Sequence, residues 1–339
     1  MEESRMSRRS QNNNYKGKKN KGKRPKKKKS LAMRIFLTLF ITILVLIGAA
    51  AAFAAKVYFD VSGSVKETYT PVVEQRQRTE HAREKEVDLD KKEPFSVLLM
   101  GLDTGDLGRV DQGRSDTMMV ATVNPETNKT TLLSIPRDSY VDIIGYGTTD
   151  KINHAYAFGG AAMSMDTVEN FLQIPIDHYV SINMAGITEL VDALGGVEVN
   201  NDLEFTSRGE YYAFGPIHLQ GDRALTYLRM RYEDPRGDYG RQLRQRLVVE
   251  AIAKKALSLD GVTQYQNILN TLEGNMQTDL SFADMQDIGL KYRSAFSNFG
   301  QLQMQGEGTM INGVSYQIIS DEELAEVRSV LRNELGIKN

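Results

Sequence analysis

Between Phe95 and Pro136 three apolar runs of strand length follow one another in quick succession, and runs of that length and spacing specify a sheet. Leu98-Leu99-Met100-Gly101-Leu102 ends at Asp103, Asp116 precedes Thr117-Met118-Met119-Val120, and Leu132-Leu133-Ser134-Ile135-Pro136 ends at Arg137. Strands are expected at 95–102, 117–124 and 130–136, with Asn124-Pro125-Glu126-Thr127-Asn128 as the turn between the last two. Adjacent strands bring their tips together, so two acids and one arginine converge on a single polyanionic ligand. That is the chemistry of a metal-assisted phosphate site: Mg²⁺ (or Mn²⁺) takes one or two carboxylates plus phosphate oxygens, and arginine forks onto the remainder. Taken singly, an Asp in such a loop is more often a turn cap.

Downstream, Gly159-Gly160 opens a helix at 161–173, a strand follows at 178–183, and a helix at 185–194 is closed by Gly195-Gly196. A short strand is expected at 197–200, then helices near 220–228 and at 242–258. Helices at about 262–272, 282–296 and 321–335 flank a strand around 301–309. Interleaved strands and helices imply an α/β domain over residues 95–339, its mixed central sheet covered by helices on both faces.

The net charge of −2 conceals a segregation. Residues 1–34 carry fourteen Lys or Arg against two Glu, and the acidic excess lies in the remainder. Between them Ile35–Ala55 has no charge, and at 1.5 Å per residue a helix of that length matches a hydrocarbon core of roughly 30 Å. This reads as one N-terminal transmembrane helix in the cytoplasmic membrane, with a basic disordered tail (1–34) cytoplasmic and everything after it outside, as in a Gram-positive-type envelope. A cleaved signal peptide is the rival, because Ala52-Phe53-Ala54 fits a small-x-small site, but the apolar run exceeds an ordinary signal core. Residues 56–94 are charge-dense and read as an extracellular stalk. The absence of cysteine excludes disulfides, thiolate metal sites and thiol nucleophiles.

Several further blocks stand in order: Arg114-Ser115-Asp116-Thr117, Ser134-Ile135-Pro136-Arg137-Asp138, Lys151-Ile152-Asn153-His154-Ala155, Ala224-Leu225-Thr226-Tyr227-Leu228-Arg229-Met230-Arg231 and Asp238-Tyr239-Gly240-Arg241-Gln242-Leu243-Arg244-Gln245. With Gly101-Leu102-Asp103 they resemble the LytR-CpsA-Psr family of bacterial cell-envelope phosphotransferases. The resemblance implies transfer of a glycopolymer (wall teichoic acid, capsule or another anionic polymer) from a polyprenyl-pyrophosphate carrier to a peptidoglycan acceptor, forming a phosphodiester. It also implies that Arg137, Arg229, Arg231 and Arg241 are the phosphate-site arginines, with Asp103 and Asp116 holding the metal.

Residue spacing adds detail. Arg241 and Gln245 lie at i, i+4 and share a helix face, which makes Gln245 a substrate-binding candidate. Arg229 and Arg231 lie at i, i+2, so a helix must end near Leu228 for both to reach one ligand. Lys151 is a second substrate-binding candidate and Asp238 the general-base candidate. Arg244 and Arg246 lack motif support and are expected at the surface. Leu190, Val191, Leu194, Leu247, Val248 and Ile252 suit a channel for the carrier lipid, and ordinary core packing explains them equally. Three rivals remain open: a polyprenyl-pyrophosphate hydrolase, a wall-binding module, and an envelope-linked regulator. No nucleic-acid partner is expected, because nothing resembles a helix-turn-helix and the outer domain is acidic.

Overall fold

The computed structural model describes residues 68–104, 113–257 and 274–337, together with 55, 56, 59, 63 and 268. The three apolar runs form an antiparallel meander of β1 (Phe95–Leu102), β2 (Ser115–Asn124) and β3 (Lys129–Ser134), with Leu99 opposite Met119 and Ala121 opposite Leu132. A hairpin of β4 (Tyr140–Ile143) and β5 (Thr148–Lys151) leads into α1 (His154–Leu172). Then come β6 (His178–Asn183), α2 (Met184–Ala193) and β7 (Val197–Asn201). The small hairpin of β8 (Phe205–Ser207) and β9 (Glu210–Tyr212) precedes β10 (Gly215–Leu219), which returns antiparallel to β7. Helices α3 (Gly221–Arg229) and α4 (Asp238–Ala256) follow, then β11 (Met276–Thr278) and α5 (Phe282–Lys291). The chain closes with β12 (Phe299–Gln303), a hairpin of β13 (Glu307–Ile311) and β14 (Val314–Ile318), and α6 (Asp321–Glu334).

The central sheet runs β11-β6-β1-β2-β3-β12. β6 is parallel to β1 and β12 to β3, while the other pairs are antiparallel, so the sheet is mixed as expected. Strand alternation sends Leu98, Met100, Val120 and Leu133 to one face, against Met165, Val168 and Leu172 of α1 and Leu324, Val327 and Leu331 of α6. The other face looks toward α2, α4 and α5. The helix expected from residue 161 is the main part of α1: a short first segment breaks at Gly159 and Gly160, and Gly160 (φ 64°, ψ −151°) occupies a backbone region that only glycine tolerates.

Two sequence expectations are corrected here. The stretch read as a stalk is docked on the domain from Thr68 onward. Thr70 N–H donates to the Thr278 carbonyl at 2.7 Å, alongside a bridge from Tyr69 to Thr278 at the sheet edge. Val72 and Leu89 are buried. Arg76 pairs with Asp166 (2.7 Å) and Glu169 (2.9 Å), two buried acids of α1, and Arg83 pairs with Asp177 at 2.6 Å. Buried carboxylates need a partner, and this segment's arginines supply it. The strand expected at 301–309 is two strands, β12 and the start of a hairpin. The basic tail, the Ile35–Ala55 span apart from Ala55, and the 262–272 helix apart from Ile268 lie outside the described residues; among those described, no helix is long and apolar enough to cross a membrane.

Candidate active site

The tips of the meander meet as the sequence predicts. Leu102 pairs with Ser115, so Asp103 and Asp116 stand on neighbouring strand ends, and the Asp103 N–H donates to the Arg114 carbonyl at 3.0 Å. Just past β3, Arg137 Nη1 reaches Asp116 Oδ1 at 2.9 Å, and its Nε lies 3.8 Å from Asp138 Oδ2. Asp138 Oδ1 in turn holds Lys151 Nζ at 2.7 Å. The β4–β5 hairpin delivers that lysine by folding back on the loop, with Asn153 N–H donating to the Arg137 carbonyl at 3.3 Å.

The second group comes from the α3–α4 junction. α3 ends at Arg229 and Met230 is extended (φ −59°, ψ 132°), which is the break that the i, i+2 spacing of Arg229 and Arg231 requires. Asp238 Oδ1 forms an ion pair with Arg241, 2.6 Å from its Nη2, and lies 3.8 Å from Arg231 Nε; it has no hydrogen-bond partner of its own. The two groups share one electrostatic environment. Burial works against the Arg137 charge, but Asp116, Asp138 and Asp238 outweigh it and hold its pKa above the ordinary value. Arg241 goes the other way: burial lowers its pKa, and Arg137 and Arg231 add to the lowering against Asp238 and Asp116. Its Nε is buried with no hydrogen-bond partner. An anion placed here gains a donor and relieves crowded positive charge.

Beside this cluster lies an apolar cavity of about 310 Å³ between the open face of the sheet and helices α2, α4 and α5. Leu99, Met119, Ala121 and Leu132 form its floor; Ile187, Leu190, Val249, Ile252 and Ala253 are among its covering residues. Its lining also includes Gly101, Thr117, Leu228 and Gln245. These four are two residues from Asp103, next to Asp116, next to Arg229 and one helical turn from Arg241. The cavity and the charged cluster therefore adjoin along four separate elements. Of the residues expected to line a lipid channel, Leu190 and Ile252 do so, whereas Val191, Leu194 and Val248 are packed in a core with α3 and β7.

The sequence profile of the LytR-CpsA-Psr family matches residues 58–333. The chain belongs to this family. A polyisoprenyl-teichoic acid--peptidoglycan teichoic acid transferase TagU of Enterococcus faecalis is 57% identical over 290 residues, covering 86% of this chain and 93% of that protein. The Bacillus subtilis protein of the same name is 46% identical over 253 residues, covering 75% and 82%. Its crystal structure, TagU of B. subtilis, aligns with a TM-score of 0.60 at 42% identity over 73% of this chain and 99% of that one. A structure of TagT bound to LIIa-WTA aligns with a TM-score of 0.64 at 32% identity, covering 77% and 99%.

Within this LytR-CpsA-Psr domain two expectations fail. Arg244 is fully buried, with Nη1 on Asp234 Oδ2 and Nη2 on the Met230 carbonyl, both at 2.6 Å. It clamps the extended residue between Arg229 and Arg231 and so sets how both are presented. Arg246 is also buried and donates to Ser134 Oγ at 2.6 Å and Gln303 Oε1 at 2.8 Å. A signal was available for Arg244: it lies at i, i+4 and i, i+7 from Val248 and Ala251, the buried stripe of α4. Gly240 belongs to the same arrangement. A Cβ there would fall 1.9 Å from Asp234 Oδ2, the carboxylate that Arg244 and Arg236 hold.

The donor chemistry of Asp103 and Asp116 fits Mg²⁺, which takes oxygen ligands and fills its shell with phosphate and water. Among the described residues no group of three or more His, Asp or Glu side chains forms an all-protein metal cage.

Proposed function

We propose that this protein transfers a teichoic acid or related anionic glycopolymer from a polyprenyl-pyrophosphate carrier to peptidoglycan. The observation that carries the reading is the adjacency of an apolar cavity and a cluster of arginines and aspartates, since a polyprenyl pyrophosphate is an apolar chain ending in a polyanion. The lipid occupies the cavity. Arg137, Arg229, Arg231 and Arg241 bind the pyrophosphate, and Lys151 and Gln245 position the substrate around it. A peptidoglycan hydroxyl attacks the phosphorus that bears the glycan, the bond from that phosphorus to the bridging oxygen breaks, and polyprenyl phosphate leaves. Asp238 takes the hydroxyl proton. Asp103 and Asp116 would hold Mg²⁺, which neutralises phosphate charge when bound. The domain acts outside the cytoplasmic membrane, tethered through Ile35–Ala55; protease added to wall-stripped cells should digest it, and full protection would refute that placement.

The test is a transfer assay with a synthetic polyprenyl-pyrophosphate glycan and peptidoglycan fragments, read by mass spectrometry. A phosphodiester-linked product is expected, lost on chelation and restored by Mg²⁺. Loss of one oriented donor typically costs about 3–4 kcal/mol, or roughly 10²–10³ in rate. Arg137→Lys and Arg241→Lys keep the charge but lose the planar fork, so both should fall toward that range. Near-normal rates would refute bidentate phosphate binding. Release of free glycan phosphate at the same rate with and without peptidoglycan would mark a hydrolase instead.

A further inference from the structure

Arg246 is a buried cation whose described partners are all neutral: Ser134 Oγ at 2.6 Å, Gln303 Oε1 at 2.8 Å and, more loosely, Gln301 Oε1 at 3.3 Å. Burial alone pushes its pKa down to about 10, so it stays charged at neutral pH with no carboxylate beside it. Such a group is costly, and a hydrophobic side chain of similar volume would serve packing at least as well. Its neighbours show what the charge organises. Gln303 Nε2 donates to Gln242 Oε1 at 2.8 Å, and Gln242 Nε2 donates to Asp238 Oδ2 at 2.9 Å. Arginine can only donate and an ionised carboxylate can only accept, so both ends of this chain have fixed polarity. Each glutamine therefore has one amide orientation that satisfies both neighbours. Flipping either one sets N–H against N–H or oxygen against oxygen.

We propose that Arg246, Gln303 and Gln242 form a positioning relay that locks the Asp238 carboxylate by its Oδ2 and thereby presents its Oδ1 to Arg241 and Arg231. The inference rests on the reading of this site as a phosphoryl-transfer centre. The relay crosses from β12 to the first turn of α4, and through Ser134 it is joined to the end of β3, three residues before Arg137. One buried guanidinium thus ties together the two segments that carry the opposite halves of the cluster. A second branch serves as an internal control. Gln301 accepts from Arg246 and donates from Nε2 to Glu250 Oε2 at 2.9 Å, but Glu250 pairs with Lys254 and lies two turns or more from the phosphate residues of α4.

Gln303→Glu separates this role from simple packing. The substitution is nearly isosteric and gives Arg246 a carboxylate, so the melting temperature should hold or rise. A glutamate at 303 has no N–H for Gln242, so the relay is cut, Gln242 inverts and Asp238 Oδ2 loses its donor. In the transfer assay kcat should fall about 10- to 100-fold with KM within roughly twofold, the range in which small misplacements of reacting groups act. Gln242→Met, which cuts the chain one link nearer the site, should give the same split should the first variant fail to fold. Gln301→Met, in the control branch, should leave kcat within about twofold. A folded Gln303→Glu protein with wild-type kcat, beside an active wild type, would overturn the relay. An inactive wild type would count against the transfer reading instead. Crystal structures of wild type and Gln303→Glu then decide the relay without activity, since an unmoved Asp238 carboxylate in the variant refutes it.

Discussion

On one face of the central sheet Leu98, Met100, Val120 and Leu133 pack against α1 and α6, while one residue along each strand Leu99, Met119, Ala121 and Leu132 line a cavity of about 310 Å³. Both sets are apolar and differ only in alanine for valine, so hydrophobicity alone does not explain the difference. What differs is how the covering helix is attached. α1 and α6 are held mainly by apolar side chains reaching into the sheet, with polar ties at the end of α6, where Asn124 donates to the Glu334 carbonyl and Lys129 pairs with the Glu334 carboxylate. α4 is held along one side by arginines: Arg246 donates to the end of β3 and to β12, and Arg244 anchors the helix to Asp234 and Met230. Polar supports have fixed lengths and cannot collapse inward as packed leucines do, so the space beneath α4 stays open.

The largest effect is expected from removing a support. Asp234→Ala strands the fully buried Arg244 guanidinium, whose ion-pair partner is Asp234, and breaking such a pair costs about 3–5 kcal/mol. Urea unfolding should show a loss of that size; a loss near that of a surface salt bridge would mean that the supports are dispensable. The next test sets two neighbours against each other. Leu133→Ala on the packed face should cost about 2–5 kcal/mol, whereas Leu132→Ala only enlarges an existing void and should cost roughly half as much. Equal losses would refute the distinction between the faces. The smallest change in stability is expected for Ala121→Phe, which grows into the cavity and should stay within about 1 kcal/mol of wild type, below the usual cost of overpacking a filled core. The same variant should lower transfer from a long-chain polyprenyl carrier by at least about tenfold, as a lost lipid contact area of several methylenes would. Unchanged transfer would mean that the lipid lies elsewhere.

The meander and its charged tips were legible because the information is local: alternating apolar residues, short turns and an acid or arginine at each end. The break at Met230 was legible for the same reason, since two arginines at i, i+2 cannot both serve one ligand from a helix. What the sequence concealed depends on distant partners. Arg246 reads as a surface residue until Ser134, 112 positions away, and Gln303, 57 away, are brought beside it. The stretch before Phe95 reads as a solvated stalk because Asp166 and Asp177, which its arginines neutralise, lie about ninety residues further on. The cavity was half legible. Leu190 and Val191 are neighbours and both apolar, and only their partners in the fold show that Val191 is wholly within a core while Leu190 lies between that core and the cavity.

Gly240 has a bearing on how this domain can change over time. A glycine within a helix ordinarily invites replacement by alanine, worth roughly 0.5–1 kcal/mol of added stability. Here the space a methyl group would need is occupied by Asp234, and Asp234 cannot yield while Arg236 and Arg244 grip it. A glycine in the midst of the arginine–aspartate cluster is thus required by a carboxylate six positions upstream. The two sites are bound to one another as substitutions accumulate: alanine at 240 becomes admissible only in a lineage that has first given up the acid at 234, and with it the clamp that presents Arg229 and Arg231.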